Sequence, residues 1–130
     1  NELGNLVQRV ATMIMKYQGG SVGQVGEFAH DVEMYHDAMT HNRFDKALAV
    51  VWDLIRGLNQ YIDEEKPWKL ATSDTQQLQQ VLSHAVVDLE QIGTLLMPFM
   101  PTSADKIIKT FQGGEVNTAI GIIFPKPETK

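Results

Sequence analysis

In the first eighteen residues, apolar positions recur every three or four residues, which is the period of an α-helix. The apolar positions form one broad stripe: Leu3, Leu6, Val7, Val10, Met13, Ile14 and Tyr17. This spacing predicts a helix with one buried face. The glycines that follow are Gly19, Gly20, Gly23 and Gly26. They predict that the helix ends near Tyr17 and that a loop comes next.

Three further segments carry the same periodicity. Residues 25–40 are predicted to form a second helix, with Phe28, Val32, Tyr35 and Met39 facing inward. The third helix has apolar residues three or four positions apart: Phe44, Leu48, Val51, Ile55, Leu58 and Ile62. The fourth helix repeats that spacing: Leu78, Leu82, Ala85, Leu89, Ile92 and Leu96. Such seams are typical of helical bundles.

Local signals predict where these helices begin and end. Asn42 is predicted to cap the third helix at its start. Pro67 is predicted to stop that helix, because proline disfavours a helical conformation in the residue before it. Ser73 or Asp74 is predicted to cap the fourth helix.

The predicted fold class is therefore all-α, an antiparallel helical bundle of four main helices and a short fifth, with an extended C-terminal tail. The short helix covers Ile107, Ile108 and Phe111, and the tail covers residues 115–130. The length of 130 residues suits one domain, so residues 1–130 are predicted to form a single helical domain.

Composition and charge exclude several classes of protein. The chain has no cysteine, which excludes disulfides, thiolate zinc sites and thiol nucleophiles. It has no apolar run of about 18 residues, so a membrane span is not expected. No secretory leader opens the chain, which favours a cytoplasmic protein. The formal net charge of -5 argues against binding of duplex DNA, which needs a basic face, but not against recognition of a few exposed bases.

Motifs for catalysis or cofactor binding are absent from the sequence. There is no phosphate-binding loop, no HExxH and no nucleophile elbow, so we expect no catalytic residue, metal or cofactor in this segment. One alternative is a metal bound by His30, Glu33 and Asp37 on one face of the second helix. A solvated acidic face is the more common origin of such a pattern.

Asn5 and Arg9 form the first group that suits a binding function. They lie one helical turn apart on the polar border of the first helix, so their side chains are neighbours. An amide and a guanidinium together offer the donors and acceptors that match base edges and phosphates. A plain solvated face is the alternative. Asn59 and Asp63, also one turn apart, are interpreted as supporting groups or as ordinary surface residues.

The run Lys66-Pro67-Trp68-Lys69 forms the second group. A Trp that a preceding Pro holds at a helix end can offer its ring to an unstacked base, and such stacking is worth about 1–3 kcal/mol per base. Lys66 and Lys69 can then screen the adjoining phosphates. The alternative is that Trp68 plugs the end of the bundle.

Four segments, in order, carry a resemblance to a known family: NELGNLVQRVATMIMKY, LNQYIDEEKPWKLA, LLMPFMPTSADKI and IIFPK. They resemble the anticodon-binding domain of bacterial methionyl-tRNA synthetase, a class I aminoacyl-tRNA synthetase. The resemblance covers essentially the whole chain. The Pro-Trp pair, the later PFMP and the closing IxFP indicate the methionine enzyme among the related synthetases.

The resemblance implies binding of the tRNA anticodon CAU. By motif, Asn5 and Arg9 match the residues that hydrogen-bond the edges of the first two anticodon bases. Trp68 matches the residue that stacks on the first base, cytosine, and Pro67 holds it. Asp63 matches an acidic position that we treat as supporting.

The resemblance also implies a larger parent enzyme. In the family, methionine is activated in a separate Rossmann domain that uses ATP and Mg, so the catalytic domain and the tRNA anticodon loop are the expected partners. HIGH-like and KMSKS-like segments are absent here, so this chain is not expected to aminoacylate by itself. Two departures from the family pattern are Thr72, where a basic residue is common, and the glycine-rich stretch 19–26.

Three alternatives remain at this point. The chain resembles the equivalent domain of other class I synthetases, which would bind a different anticodon. A helical protein-interaction module without RNA contact would result if Asn5, Arg9 and Trp68 did not share one open surface. The metal site at His30 would make the chain a small metal-dependent enzyme.

Overall fold

The structure is a computed structural model that describes residues 2–23 and 25–117. Within these residues the chain forms six α-helices: α1 Glu2–Gln18, α2 Glu33–Thr40, α3 Phe44–Glu65, α4 Pro67–Ser73, α5 Thr75–Leu96 and α6 Pro101–Thr110. A 3-10 turn, Gln112–Gly114, follows α6. The predicted all-α class is confirmed. The predicted tail beyond residue 117 lies outside the described residues.

Helix α5 lies at the centre of the fold. It packs against α1, α3, α4 and α6, while α2 packs mainly against α3. Its predicted seam is buried, and so are Val81 and Leu95 on one flank of the seam and Val86 on the other. A helix that is apolar on most sides belongs in the interior of a domain. None of the helices in the described part of the chain is long and apolar enough to cross a membrane.

The close approach of α5 and α6 depends on a small residue. A Cβ atom added at Gly93 would lie 3.0 Å from Cγ1 of Ile108 and 3.4 Å from the carbonyl oxygen of Ala104. The absence of a side chain therefore lets α6 pack directly on α5. Phe111 at the end of α6 is fully buried, as are Ile107 and Ala104.

The predicted second helix is wrong over its first half, because α2 begins only at Glu33. The preceding segment, residues 25–32, has no helical structure, and Phe28, predicted to face inward, is 51% exposed. The physical reason lies in α5. The Gln91 side chain accepts from the backbone N–H of His30 (3.3 Å) and donates to the His30 carbonyl (2.9 Å). These bonds hold the backbone in an open conformation that competes with a helix.

The predicted caps are half correct. Asn42 does not cap α3: it has a left-handed conformation (φ 59°), and Arg43 occupies the cap position without a side-chain hydrogen bond. Asp74 caps α5 as predicted, because its Oδ1 accepts from the backbone N–H of Gln77 at 3.0 Å. The Ser73 hydroxyl instead donates to the Lys69 carbonyl.

Pro67 stops α3 as predicted, but the chain then starts a further helix. α3 ends at Glu65, Lys66 turns the chain in a left-handed conformation (φ 53°), and Pro67 is the first residue of α4. Proline suits this first position because the N–H that it lacks would be unpaired there. Trp68 therefore lies in the first turn of a short helix rather than in a loop.

Candidate nucleic-acid interface

A polar surface lies where the first half of α1 faces the last turns of α3. We call it the α1–α3 surface, and it consists of Glu2, Asn5, Arg9, Asn59 and Asp63. The Arg9 guanidinium Nη2 donates to Asp63 Oδ1 at 2.7 Å. The Asn59 amide Nδ2 donates to Glu2 Oε2 at 3.3 Å. Two cross-helix bonds thus connect the polar rows of the two helices.

Trp68 stands at the edge of this surface. Its side chain is 41% exposed, whereas the neighbouring Pro67 is buried. Trp68 is therefore not fully buried at the end of the bundle, and the neighbouring Pro67 is the buried residue of the corner. Cζ of Arg9 lies 5.6 Å from the centroid of the Trp68 ring, within range of a cation–π contact. Arg9 therefore joins Asp63 and Trp68 in one cluster.

Asn5 shares the exposed face of α1 with Arg9. Asn5 is exposed, and its amide makes no side-chain hydrogen bond within the described residues. The structure thus brings Arg9, Asp63 and Trp68 into contact and leaves Asn5 beside them on the same helix. Lys66 and Lys69 are both exposed and flank the Pro-Trp corner in sequence.

The ion pair on this surface is open to water. The Arg9 side chain is 35% exposed and the Asp63 side chain 64% exposed. An exposed pair of this kind contributes about 0–1 kcal/mol to stability, because water and salt screen it. A ligand group can therefore compete with Asp63 for the Arg9 guanidinium with little loss in the free energy of unfolding.

A second polar cluster, which we call the Asp88 cluster, consists of a buried carboxylate between two partly exposed histidines and was missed by sequence reasoning. Asp88 Oδ2 lies 3.1 Å from Nε2 of His30 and 3.1 Å from Nε2 of His84. The Asp88 side chain is only 4% exposed, and its Oδ1 is buried without a hydrogen-bond partner among the described residues. The ring of Tyr61 packs on His84 with centroids 4.3 Å apart.

The surroundings of the Asp88 cluster affect the acidity of Tyr61. Burial raises the pKa of Tyr61, and the negative charges of Glu65 and Asp88 raise it further. The sequence did contain a signal for the cluster: Asp88 continues the buried stripe of Val81 and Ala85, a position where an acid is unusual.

The metal site considered for His30, Glu33 and Asp37 is wrong. His30 lies before α2 begins and contacts Asp88 on α5, so it does not share a helix face with the other two residues. Across the residues that the structure describes, no three His, Asp or Glu side chains are placed to hold a metal ion.

Comparison with known proteins gives the family. Residues 18–119 match the family model described as "Anticodon binding domain of methionyl tRNA ligase". The matched residues include Asp63 and Trp68, whereas Asn5 and Arg9 precede them. These findings place the chain in a class of helical domains that are carried by aminoacyl-tRNA ligases.

Curated relatives agree with the family model. The chain is 41% identical over 122 residues to a methionine–tRNA ligase of Lactococcus lactis subsp. lactis (strain IL1403), covering 84% of this chain and 18% of that protein. It is 36% identical over 123 residues to that of Bacillus subtilis (strain 168), with the same coverage. The chain thus spans about a fifth of the length of these relatives.

Solved structures agree as well. The apo methionyl-tRNA synthetase of Mycobacterium tuberculosis superposes with a TM-score of 0.67 and 27% identity, covering 96% of this chain and 29% of that one. Its complex with methionyl-adenylate superposes with a TM-score of 0.62 and 28% identity, covering 98% and 30%. The chain belongs to the family of anticodon-binding domains of methionyl-tRNA ligases. The alternatives of another class I synthetase and of an RNA-free interaction module are not favoured.

Proposed function

We propose that this chain binds the CAU anticodon of tRNA-Met, as a single domain spanning residues 1–130 of a longer methionyl-tRNA ligase. The observation that carries the proposal is the contact of Arg9 with both Asp63 and the exposed Trp68 ring. An open aromatic face beside a guanidinium and a free amide suits unstacked bases, which is the form in which RNA sequence is recognised.

Trp68 is the stacking residue in this proposal. Its exposed ring offers one face to the first anticodon base, cytosine, and Pro67 fixes the ring position because it is buried and begins α4. Lys66 and Lys69 screen the phosphates on either side. Stacking on an aromatic ring contributes about 1–3 kcal/mol per base.

Arg9 and Asn5 hydrogen-bond the edges of the first two bases. The guanidinium has five donors, and Asp63 accepts only one of them, so the remaining donors are available to a base or a phosphate. Asp63 is a positioning residue, because it holds the fork of Arg9 next to the Trp68 ring.

We assign the activation of methionine to the catalytic domain of the parent, together with its use of ATP and Mg, because this chain has neither a HIGH-like nor a KMSKS-like segment. That domain and the tRNA are the proposed partners. We place the function in the cytoplasm, where translation enzymes of this family act on tRNA.

We also infer that the helices form an antiparallel bundle around α3 and α5. Two contacts support this arrangement. Glu65 at the end of α3 accepts from Gln77 near the start of α5 (3.5 Å), and Tyr61, one turn earlier on α3, packs on His84, two turns later on α5. The residue numbers therefore run in opposite directions along the pair.

The proposed function is tested by titration with RNA. An anticodon stem-loop bearing CAU is compared at a stated low salt concentration with one bearing UAU. A preference of about tenfold or more for CAU, equivalent to about 1.4 kcal/mol, is expected if the cytosine is recognised. Equal binding of both stem-loops, abolished by added salt, would show contact with the backbone alone and would contradict the proposal.

A further inference from the structure

Glu2 extends the α1–α3 surface on the side of Asn5 that faces away from Trp68. Positions 2, 5 and 9 lie three and four residues apart on α1, so the side chains of Glu2, Asn5 and Arg9 form one row. Asn59 on α3 holds the Glu2 carboxylate by donating to Oε2 at 3.3 Å. Glu2 is exposed, and within the described residues only one of its carboxylate oxygens has a side-chain hydrogen bond.

The chemistry of this carboxylate differs from that of the other groups in the row. An ionised carboxylate only accepts hydrogen bonds, whereas Arg9 only donates them and Asn5 does both. Adenine and cytosine carry exocyclic amino groups, which are donors, where guanine and uracil carry carbonyl oxygens. Guanine has a further amino group at N2, so the distinction applies to one position of the ring: a carboxylate that faces this position attracts N6 of adenine or N4 of cytosine and repels O6 of guanine or O4 of uracil.

We propose that Glu2 is a further specificity-determining residue, and that its free oxygen accepts a hydrogen bond from the exocyclic amino group of the second anticodon base, adenine. The inference rests on the anticodon binding proposed above. The order of groups along the surface assigns the base. Trp68 and Arg9 take the first base, Asn5 takes the second, and Glu2 lies next to Asn5, about 10 Å along α1 from Arg9 at 1.5 Å per residue.

A structural role for Glu2 makes a different prediction. An acid in the first turn of a helix stabilises the helix dipole, and its bond to Asn59 ties α1 to α3. Both effects would change the stability of the fold and the affinity for every RNA alike. Only direct contact with the base makes the effect of a Glu2 substitution depend on the amino group of the adenine.

The test removes that amino group from the RNA. Two CAU stem-loops are compared, one with adenine and one with unsubstituted purine at the second position, which lacks the amino group and keeps the ring nitrogens. The original chain is expected to prefer adenine by about tenfold. Glu2→Ala is expected to lose that preference and to keep its preference for cytosine over uracil at the first position, which depends on the hydrogen bonds of Arg9.

Two further variants make the result specific. Glu2→Gln keeps the length of the side chain, but its amide can turn either to donate or to accept a hydrogen bond. We therefore expect this variant to bind a stem-loop with guanine at the second position more tightly than the original chain does. Glu33→Gln removes the same charge from the exposed start of α2, and we expect it to raise affinity slightly for every stem-loop without changing any preference. Thermal melts check that all variants fold.

The outcomes separate this inference from the proposed function. If the original chain prefers cytosine at the first position but Glu2→Ala and Glu2→Gln keep the full preference for adenine over purine, Glu2 has only a structural role and the inference is wrong. If the original chain has no base preference at either position, the proposed function itself fails.

Discussion

The molecule contains two clusters in which an acid contacts basic side chains, and their burial differs sharply. On the α1–α3 surface, Asp63 is 64% exposed and pairs with Arg9. In the Asp88 cluster, the acid is 4% exposed and lies between His30 and His84. The consequences differ, because water reaches both members of the first pair, whereas the Asp88 carboxylate of the second cluster is shielded from water. The exposed cluster suits binding, whereas removal of the histidines around the buried Asp88 carboxylate is expected to destabilise the fold.

The Asp88 cluster also explains how residues 25–32 are held against α5, through His30. His30 contacts Asp88 through its ring and Gln91 through its backbone. Next to this segment, the hydroxyl of Tyr35 donates to the carbonyl of Leu95 at 2.5 Å. The segment is thus held by hydrogen bonds to side chains and to a backbone carbonyl of α5.

Loss of both histidines is expected to have the largest effect. The double variant His30→Ala/His84→Ala leaves the buried Asp88 carboxylate without the donors that it has here. We expect the free energy of unfolding to fall by about 2–3 kcal/mol, less than for a fully buried pair because both imidazole rings also contact water. Denaturation in urea measures this change.

The exposed His41–Asp37 pair, at 3.4 Å, provides a matched control. We expect His41→Ala to change the free energy of unfolding by less than about 0.5 kcal/mol. Equal effects of the double variant and the control would contradict the distinction between buried and exposed clusters.

Trp68→Ala is expected to have the next largest effect, on binding rather than on stability. Loss of stacking should weaken binding of the CAU stem-loop by about 1–3 kcal/mol, while the melting temperature changes little because the ring is already half-exposed. Trp52→Ala is the control, since Trp52 is also exposed (37%) but lies eleven residues before Asp63 on α3, about 16 Å away along the helix. If Trp68→Ala no longer melts cooperatively while Trp52→Ala still does, Trp68 has a packing role instead.

Arg9→Lys is expected to have a smaller effect on binding. Lysine keeps the positive charge but loses the planar fork that contacts Asp63 and the Trp68 ring together. We expect affinity for the CAU stem-loop to fall about tenfold, with the free energy of unfolding unchanged within about 0.5 kcal/mol. Unchanged affinity would mean that Arg9 acts only as a point charge.

Tyr61→Phe is expected to have the smallest effect, visible only at alkaline pH. The pKa of Tyr61 is raised from its ordinary value of 10.0 by burial and by nearby acids, so the folded state disfavours the ionised phenol. Its contribution to stability is complete below pH 10 and is lost as the pH rises through the raised pKa. We therefore expect Tyr61→Phe to lose less stability than the original chain between pH 10 and 11, measured by urea denaturation. An equal decrease in the free energy of unfolding of both proteins over this pH range would contradict the raised pKa of Tyr61.

The helices that bury one stripe could be predicted from the sequence, because their periodicity extends over many residues. The seam of α5 and the cap at Asp74 are examples, and so is the seam of α3 from Val51 to Ile62. The prediction that Phe44 lies in the α3 seam is wrong, because its side chain at the start of the helix is 49% exposed. The segment before Glu33 could not be predicted, because its open conformation depends on Gln91, sixty residues away. The role of Asp88 depends equally on two histidines that only the fold brings together.

The candidate site could be predicted as residue types but not as contacts. Helical spacing placed Asn5 beside Arg9, and the Pro-Trp pair singled out Trp68. That Arg9 contacts both Asp63 and the Trp68 ring depends on how α1 crosses α3 and α4, which the periodicity of single helices does not contain.

The most direct test of anticodon binding uses the intrinsic fluorescence of Trp68. The chain has two Trp residues, so Trp52→Phe leaves Trp68 as the only one. We expect the CAU stem-loop to quench this emission on binding, and the UAU stem-loop to do so only at concentrations about tenfold higher. Binding of CAU, detected by a label on the RNA, without any change in Trp68 emission would contradict stacking on Trp68 and with it the proposed binding site.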